Sequence, residues 1–127
     1  MRIVLVTGSR EWLDRGAIQQ RLDWHHQYPG CIALYHGDCK GADHIAADLA
    51  ASLAWEINRI PGWWHLGNAG GHKRNLALFH TALAWKHAGA NVYVEAFPLK
   101  GGRGTQGMIA VVQKSILAPY LTITGQL

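Results

Sequence analysis

The sequence predicts an α/β domain: a doubly wound, mostly parallel five-stranded sheet in the order 3-2-1-4-5, with helices on both faces. Three observations lead there. Short β-branched runs alternate with longer stretches of helical period, which favours βαβ units over hairpins. The loops that leave the strands are the glycine-rich ones. The chain has 127 residues, 49% hydrophobic and 16% charged, enough apolar side chain for one core and one domain over residues 1–127.

Arg2 to Val6 reads as a buried strand, followed by the turn Thr7-Gly8-Ser9-Arg10. Asp14 is placed to cap a helix reaching about His26, with Ile18, Leu22 and His25 or His26 on one face. Pro29-Gly30 stops that helix, and Cys31 to Tyr35 is the second strand. The loop His36-Gly37-Asp38-Cys39-Lys40-Gly41-Ala42 ends at Asp43, a plausible N-cap for a helix from about His44 to Ala54. Ile45, Leu49 and Leu53 recur on one face of it. Trp55 to Ile60 is a weaker third strand, closed by Pro61-Gly62. A long connection to Gly71 precedes a third helix from about His72 to His87. Asn91 to Phe97 is the fourth strand, the run from Pro98 to Gly104 leads into the fourth helix, and Tyr120 to Thr124 is the fifth strand. Right-handed crossovers and the commonest winding make strands 1 and 4 neighbours at the switch point, so their following turns face each other across a crevice.

Composition excludes several classes. The net charge is +4 with the cations scattered, so there is no polybasic arm for nucleic acid and no membrane tether. No apolar run approaches the roughly 20 residues of a membrane helix, and the N-terminus enters a strand pattern without a signal-peptide layout. Cys31 and Cys39 have no metal-type spacing, and the adjacent His25-His26 pair has no third ligand in view. A cytoplasmic protein without metal or cofactor is expected.

Three strand-to-helix loops combine glycine with a cation: Gly8 with Arg10, Gly37 and Gly41 with Lys40, and Gly101, Gly102 and Gly104 with Lys100 and Arg103. Glycine allows close backbone approach, and a helix head adds partial positive charge, so phosphate is a natural guest. Tight-turn chemistry alone explains any one such loop; three on one sheet edge favour an anion site. Neither G-x-G-x-x-G nor G-x-x-x-x-G-K-[ST] occurs, which excludes an ordinary NAD dehydrogenase or P-loop ATPase.

Four segments in order, Val6-Thr7-Gly8-Ser9-Arg10-Glu11, His36-Gly37 through Gly41-Ala42-Asp43, Gly67 through Arg74-Asn75, and Gly101-Gly102-Arg103-Gly104-Thr105, resemble the SLOG superfamily, most nearly its small YspA-like (YpsA-related) branch. The resemblance spans about Arg2 to Thr124. It implies a Rossmann-like domain that binds nucleotides or nucleotide-derived ligands. Relatives include the Lonely guy phosphoribohydrolases, the DprA single-strand DNA loaders and ligand-sensing domains of bacterial immune proteins. In the phosphoribohydrolases the motif P-G-G-x-G-T-x-x-E ends in a catalytic glutamate; here that position is Met108. Methionine neither stabilises an oxocarbenium ion nor activates water, so the resemblance implies holding rather than hydrolysis, and no catalytic residue is assigned. Gly70 stands where the branch usually has alanine.

The expected ligand-binding residues are Gly8, Ser9, Arg10, His36, Gly37, Lys40, Asp43, Trp64, Arg74, Asn75, Gly101, Gly102, Arg103, Gly104 and Thr105. The amides of Gly8, Ser9, Gly102 and Gly104, with Thr105, are expected to hold phosphate, balanced by Arg10, Arg74 and Arg103. Arg74 and Asn75 read as opening the third helix, where the helix dipole disfavours a cation, so Arg74 is read as placed for a ligand or a carboxylate. Trp64 offers a face for a stacked base and fits a tryptophan that often precedes the Gly67 motif in the branch. Glu11 and Asp38 are further carboxylates near the site. Cys39 reads as an inert thiol. The third helix is apolar around much of its circumference, which points to a homo-oligomer through that helix.

The expected function is therefore binding, as sensor or sponge, of a phosphate-containing nucleotide derivative such as an ADP-ribose-like or cyclic nucleotide signal. By the resemblance, this extends to bacterial or phage immune signalling. An N-glycosidase or phosphoribohydrolase-like enzyme is the alternative, and single-stranded DNA binding is the least favoured.

Overall fold

β1 (Arg2–Gly8) is apolar on both faces over Ile3–Val6, the pattern of a strand covered on two sides. The computed structural model, which describes residues 1–62 and 68–127, places it at the centre of the sheet. The other strands are β2 (Ile32–His36), β3 (Glu56–Arg59), β4 (Asn91–Phe97) and β5 (Leu121–Ile123). All four pairings are parallel and the order is β3-β2-β1-β4-β5, as expected from the winding. β1 and β4 pair over seven residues, from Arg2 with Asn91 to Gly8 with Phe97, so their C-terminal ends stop side by side.

The helices are α1 (Arg15–His26), α2 (Ala42–Ser52), α3 (Asn68–His87) and α4 (Arg103–Gln113). On one face Val4, Val6, Leu34 and Phe97 meet Ile18 and Leu22 of α1 and Ala46 and Leu49 of α2, with Trp12 and Trp55 closing the layer. On the other, Ile3, Leu5, Val92 and Val94 meet Leu78, Phe79 and Ala82 of α3 and Met108 and Val112 of α4. Strand alternation sends successive side chains to the two cores. Leu83 and Trp85 of α3 also pack against the second core, and Trp85 Nε1 donates to the Tyr35 hydroxyl at 3.0 Å. Of the tryptophans read as core or contact residues, Trp55 is buried, Trp85 half-buried and Trp24 exposed.

Two expected boundaries change. Asp14 caps α1, accepting from the Ala17 N–H at 3.1 Å, but Asp43 does not cap α2. Gly41, with φ +79°, is the N-cap there, and Asp43 lies one residue into the first turn. α3 begins at Asn68, four residues before the expected start. Arg74 and Asn75 therefore sit in its second turn, where the dipole penalty has faded, and the reading of Arg74 from that penalty does not hold. Asn75 likewise caps nothing.

A buried polar cluster sits between β4 and α1, away from the sheet's C-terminal edge. Glu95 is 1% exposed and accepts from Arg21 Nε at 2.8 Å, from Arg21 Nη2 at 2.9 Å and from His25 Nε2 at 2.7 Å. Arg2 Nε donates to His25 Nδ1 at 3.1 Å, which leaves the proton of a neutral His25 on Nε2, facing Glu95. Burial by itself would raise the Glu95 pKa; the bonds from His25 and Arg21 outweigh it and hold the carboxyl below its usual range.

Candidate functional site

At the C-terminal edge of the sheet the end of β1 opens into a cleft of about 610 Å³ walled by α3 and α4, within the range of small-molecule sites. Its floor is apolar: Val6 from β1, Leu76 and Leu78 from α3, Met108 and Val111 from α4. Its polar groups come from four places. The turn after β1 supplies Thr7, Gly8, Ser9, Arg10 and Glu11; the head of α2 supplies Cys39 and Asp43; α3 supplies Gly71, His72, Arg74 and Asn75; and the head of α4 supplies Gly102, Arg103, Gly104 and Thr105. Of the expected ligand-binding residues, Gly8, Ser9, Arg10, Asp43, Arg74, Asn75, Gly102, Arg103, Gly104 and Thr105 are thus brought together.

Among the described residues, His36, Gly37, Lys40 and Gly101 do not line this cleft. His36 is 3% exposed and its Nδ1 accepts the Asp38 N–H at 2.9 Å, so the ring shapes the loop after β2; burial lowers its pKa. Lys40 is exposed, and Gly101 forms a turn at φ +88°. Gly37 serves Arg74: a Cβ there would lie 2.6 Å from Arg74 Nη1, so any larger residue would push the guanidinium from its present path across the loop. Trp64 and Gly67 lie outside the described residues.

The expected phosphate-binding amides also sort into two groups. Ser9 N–H donates to the Phe97 carbonyl at 2.9 Å, while the Ser9 carbonyl accepts from Trp12 and Ala42 and its hydroxyl accepts from the Glu11 N–H. Ser9 is a knot tying β1, β4 and α2, and its amide is not available. Gly102 N–H donates to Leu99 O at 3.1 Å and is likewise used. Beyond Gly102, α4 starts without any side-chain cap, and its first intrahelical bond is Gln106 N–H to Gly102 O. The N–H groups of Arg103, Gly104 and Thr105 are the ones a helix cannot satisfy for itself. They stand at the positive end of the helix dipole, beside the Thr105 side chain, on the cleft wall.

A polar chain crosses the cleft from α4 to α2. Asn75 Nδ2 lies 3.5 Å from Gly104 O, and Asn75 Oδ1 accepts from Arg74 Nε at 2.7 Å. Arg74 Nη1 donates to Gly37 O and, at 3.1 Å, to Cys39 Sγ. Asp43 Oδ2 accepts from the Gly37 N–H at 2.9 Å and the Cys39 N–H at 3.3 Å. Arg74 is 7% exposed and Asp43 4%, so this is a buried charged pair held through the loop backbone. Burial raises the Asp43 pKa to about 6, against the pull of the Cys39 N–H, Arg74 and the Gly37 N–H. Asp43 Oδ1 is buried and has no hydrogen-bond partner among the described residues.

The carboxylates Glu11 and Asp38 separate: Glu11 lines the cleft, while Asp38 pairs with His44 at 3.0 Å and Arg59 at 3.4 Å. Sequence reasoning missed the cleft floor; the helical period of Leu78, Met108 and Val111 marks them as apolar, but not as facing a gap. Cys39, read as inert, is buried, lines the cleft and receives an Arg74 hydrogen bond. Among the described residues no cluster of three or more His, Cys, Asp or Glu has metal-ligand geometry, and no helix is long and apolar enough to cross a membrane.

Comparison with known proteins adds the following. The family model described as "YspA, cpYpsA-related SLOG family" matches residues 2–67. The Gene 61 protein of Mycobacterium phage D29 is 35% identical over 127 aligned residues, covering 91% of this chain and 91% of that protein. No solved structure matches. The matched segment carries the β1 turn, the Gly37–Asp43 loop and the head of α2, and its family points to a nucleotide-related role. The chain belongs to the YspA, cpYpsA-related SLOG family.

Proposed function

We propose that the chain binds a phosphate-bearing nucleotide derivative, of the ADP-ribose or cyclic nucleotide kind, in the cleft at the end of β1 walled by α3 and α4, and holds it without turnover. One observation carries the reading: the uncapped head of α4, with Thr105 and Arg103, faces the turn bearing Arg10 across a cleft with an apolar floor. Phosphate suits the amides of a helix head and the charge of guanidinium groups, and a base suits the floor of Leu78, Met108 and Val111. Met108, in the place of the phosphoribohydrolase glutamate, is 2% exposed and offers packing rather than proton transfer. Calorimetry against a panel of ADP-ribose, ADP, AMP and cyclic dinucleotides tests the reading; folded protein that binds none of them refutes it.

A second reading, cleavage of an N-glycosidic bond, draws on Asp43, whose raised pKa is that of a group able to hold a proton near neutrality. Prolonged incubation of concentrated protein with NAD and nucleoside monophosphates, followed by chromatography, decides it: intact substrate removes the option.

A further inference from the structure

The geometry points to Asp43 as the residue that recognises a hydrogen-bond donor on the ligand, a ribose hydroxyl or a base amino group accepted by its unpartnered Oδ1, while the phosphate sits at the head of α4. This rests on the reading of the cleft as a nucleotide site and adds a polarity to it.

The two oxygens of Asp43 have different situations. Oδ2 is turned back into the loop, onto the N–H groups of Gly37 and Cys39. Oδ1 is buried without a partner on a side chain that lines the cleft and is 4% exposed. A buried polar atom left unpaired is costly, and such atoms in native proteins are uncommon. Helix formation does not account for it: Gly41 is the cap of α2, and an exposed acid in the first turn would complement the dipole as well as a buried one. Nor does Oδ1 suit phosphate, since both are acceptors and like in charge. Its complement is an O–H or N–H. The chain Gly104–Asn75–Arg74 reaches this carboxylate through the Gly37 backbone, whose carbonyl accepts from Arg74 and whose N–H donates to Asp43 Oδ2, so α3 sets the spacing between the two ends of the ligand.

The test pairs two probes that share phosphate and differ in donors: pyrophosphate and ADP. Asp43→Asn keeps an oxygen for the Gly37 and Cys39 N–H groups and puts an NH₂ where Oδ1 was. The expected result is ADP affinity lower by about tenfold or more, with pyrophosphate affinity unchanged or higher because a negative charge is gone. Equal effects on both probes, or ADP bound as before, overturn the inference. Wild-type protein supplies an arm independent of how the variant folds. 2′-Deoxy-ADP, 3′-deoxy-ADP and purine riboside 5′-diphosphate each lack one donor group; the expected result is a loss for the analogue lacking the donor that meets Oδ1, which separates ribose from base. Equal affinity for all three and ADP overturns the inference. Failure of ADP and pyrophosphate to bind wild type also overturns it, and failure of the wider nucleotide panel as well refutes the reading beneath it.

Discussion

Asp43 has a cost in the free protein that can be read as a function of pH. Its carboxyl is buried, and its pKa rises from an ordinary 3.8 to about 6 on folding. The folded state therefore holds this proton more tightly than the unfolded chain, and stability falls as pH rises between the two values. Below about pH 4 both states are protonated and nothing is lost; above about pH 6 both are ionised and the loss is complete. At 1.36 kcal/mol per pKa unit the full loss is about 3 kcal/mol, a large share of a typical domain stability. Asp43→Asn is neutral throughout and carries no such slope. Denaturant unfolding of both proteins at several pH values from 4 to 8 measures it. The difference, variant minus wild type, is expected to rise by about 3 kcal/mol between pH 4 and pH 6 and then level off. Working with the difference cancels the other carboxyls. A difference that stays flat across that window refutes the claim that Asp43 is buried and poorly compensated.

Three other perturbations have expected outcomes. Glu95→Ala strips the partner from Arg21 and His25 and is expected to cost about 3 kcal/mol in denaturant unfolding at pH 7. Because the folded Glu95 pKa is lowered, its stabilisation is present above the ordinary carboxylate range and is lost as pH falls through the lowered value, so the penalty of the variant shrinks in acid. Arg74→Lys is expected to destabilise by about 1–3 kcal/mol and to weaken nucleotide binding, measured by thermal melting and calorimetry, since one ammonium cannot serve Gly37 O and Asn75 Oδ1 together as the guanidinium does. Thr105→Val, nearly isosteric and 5% exposed, is expected to lower affinity for phosphate-bearing ligands about fivefold to tenfold in calorimetry while leaving the helix in place.

The sheet order was legible because strand alternation, connection length and crossover handedness leave few windings for five strands and four helices. The fourth strand matched in both bounds, Asn91–Phe97, because Gly89 and Pro98 bracket a β-branched and aromatic run. The third helix was expected to end at His87, as it does, but to start four residues late, because Gly70 and Gly71, poor helix formers, read as loop; tertiary packing overrides that propensity, with Gly70 buried within the helix. Asp43 resembled an N-cap because residue type alone does not separate a cap from the first turn, and the left-handed backbone of Gly41 is a property of the fold. The same limit applies to the amides. Gly8, Ser9 and Gly102 line the cleft, but the Ser9 and Gly102 N–H groups are held by Phe97 and Leu99, partners that only the folded chain brings near. Gly37 was read as ligand-facing but does not line the cleft and forms the seat for Arg74, a contact across 37 positions.

The most direct measurement of the nucleotide assignment is an amide NMR titration of the labelled protein with ADP-ribose. The largest shifts are expected at the N–H groups of Arg103, Gly104 and Thr105, with lesser ones along Arg74 and Asn75. Saturable shifts confined to another surface, such as the shallow groove beside Trp55 and Tyr28, or none at all in folded protein, would contradict it.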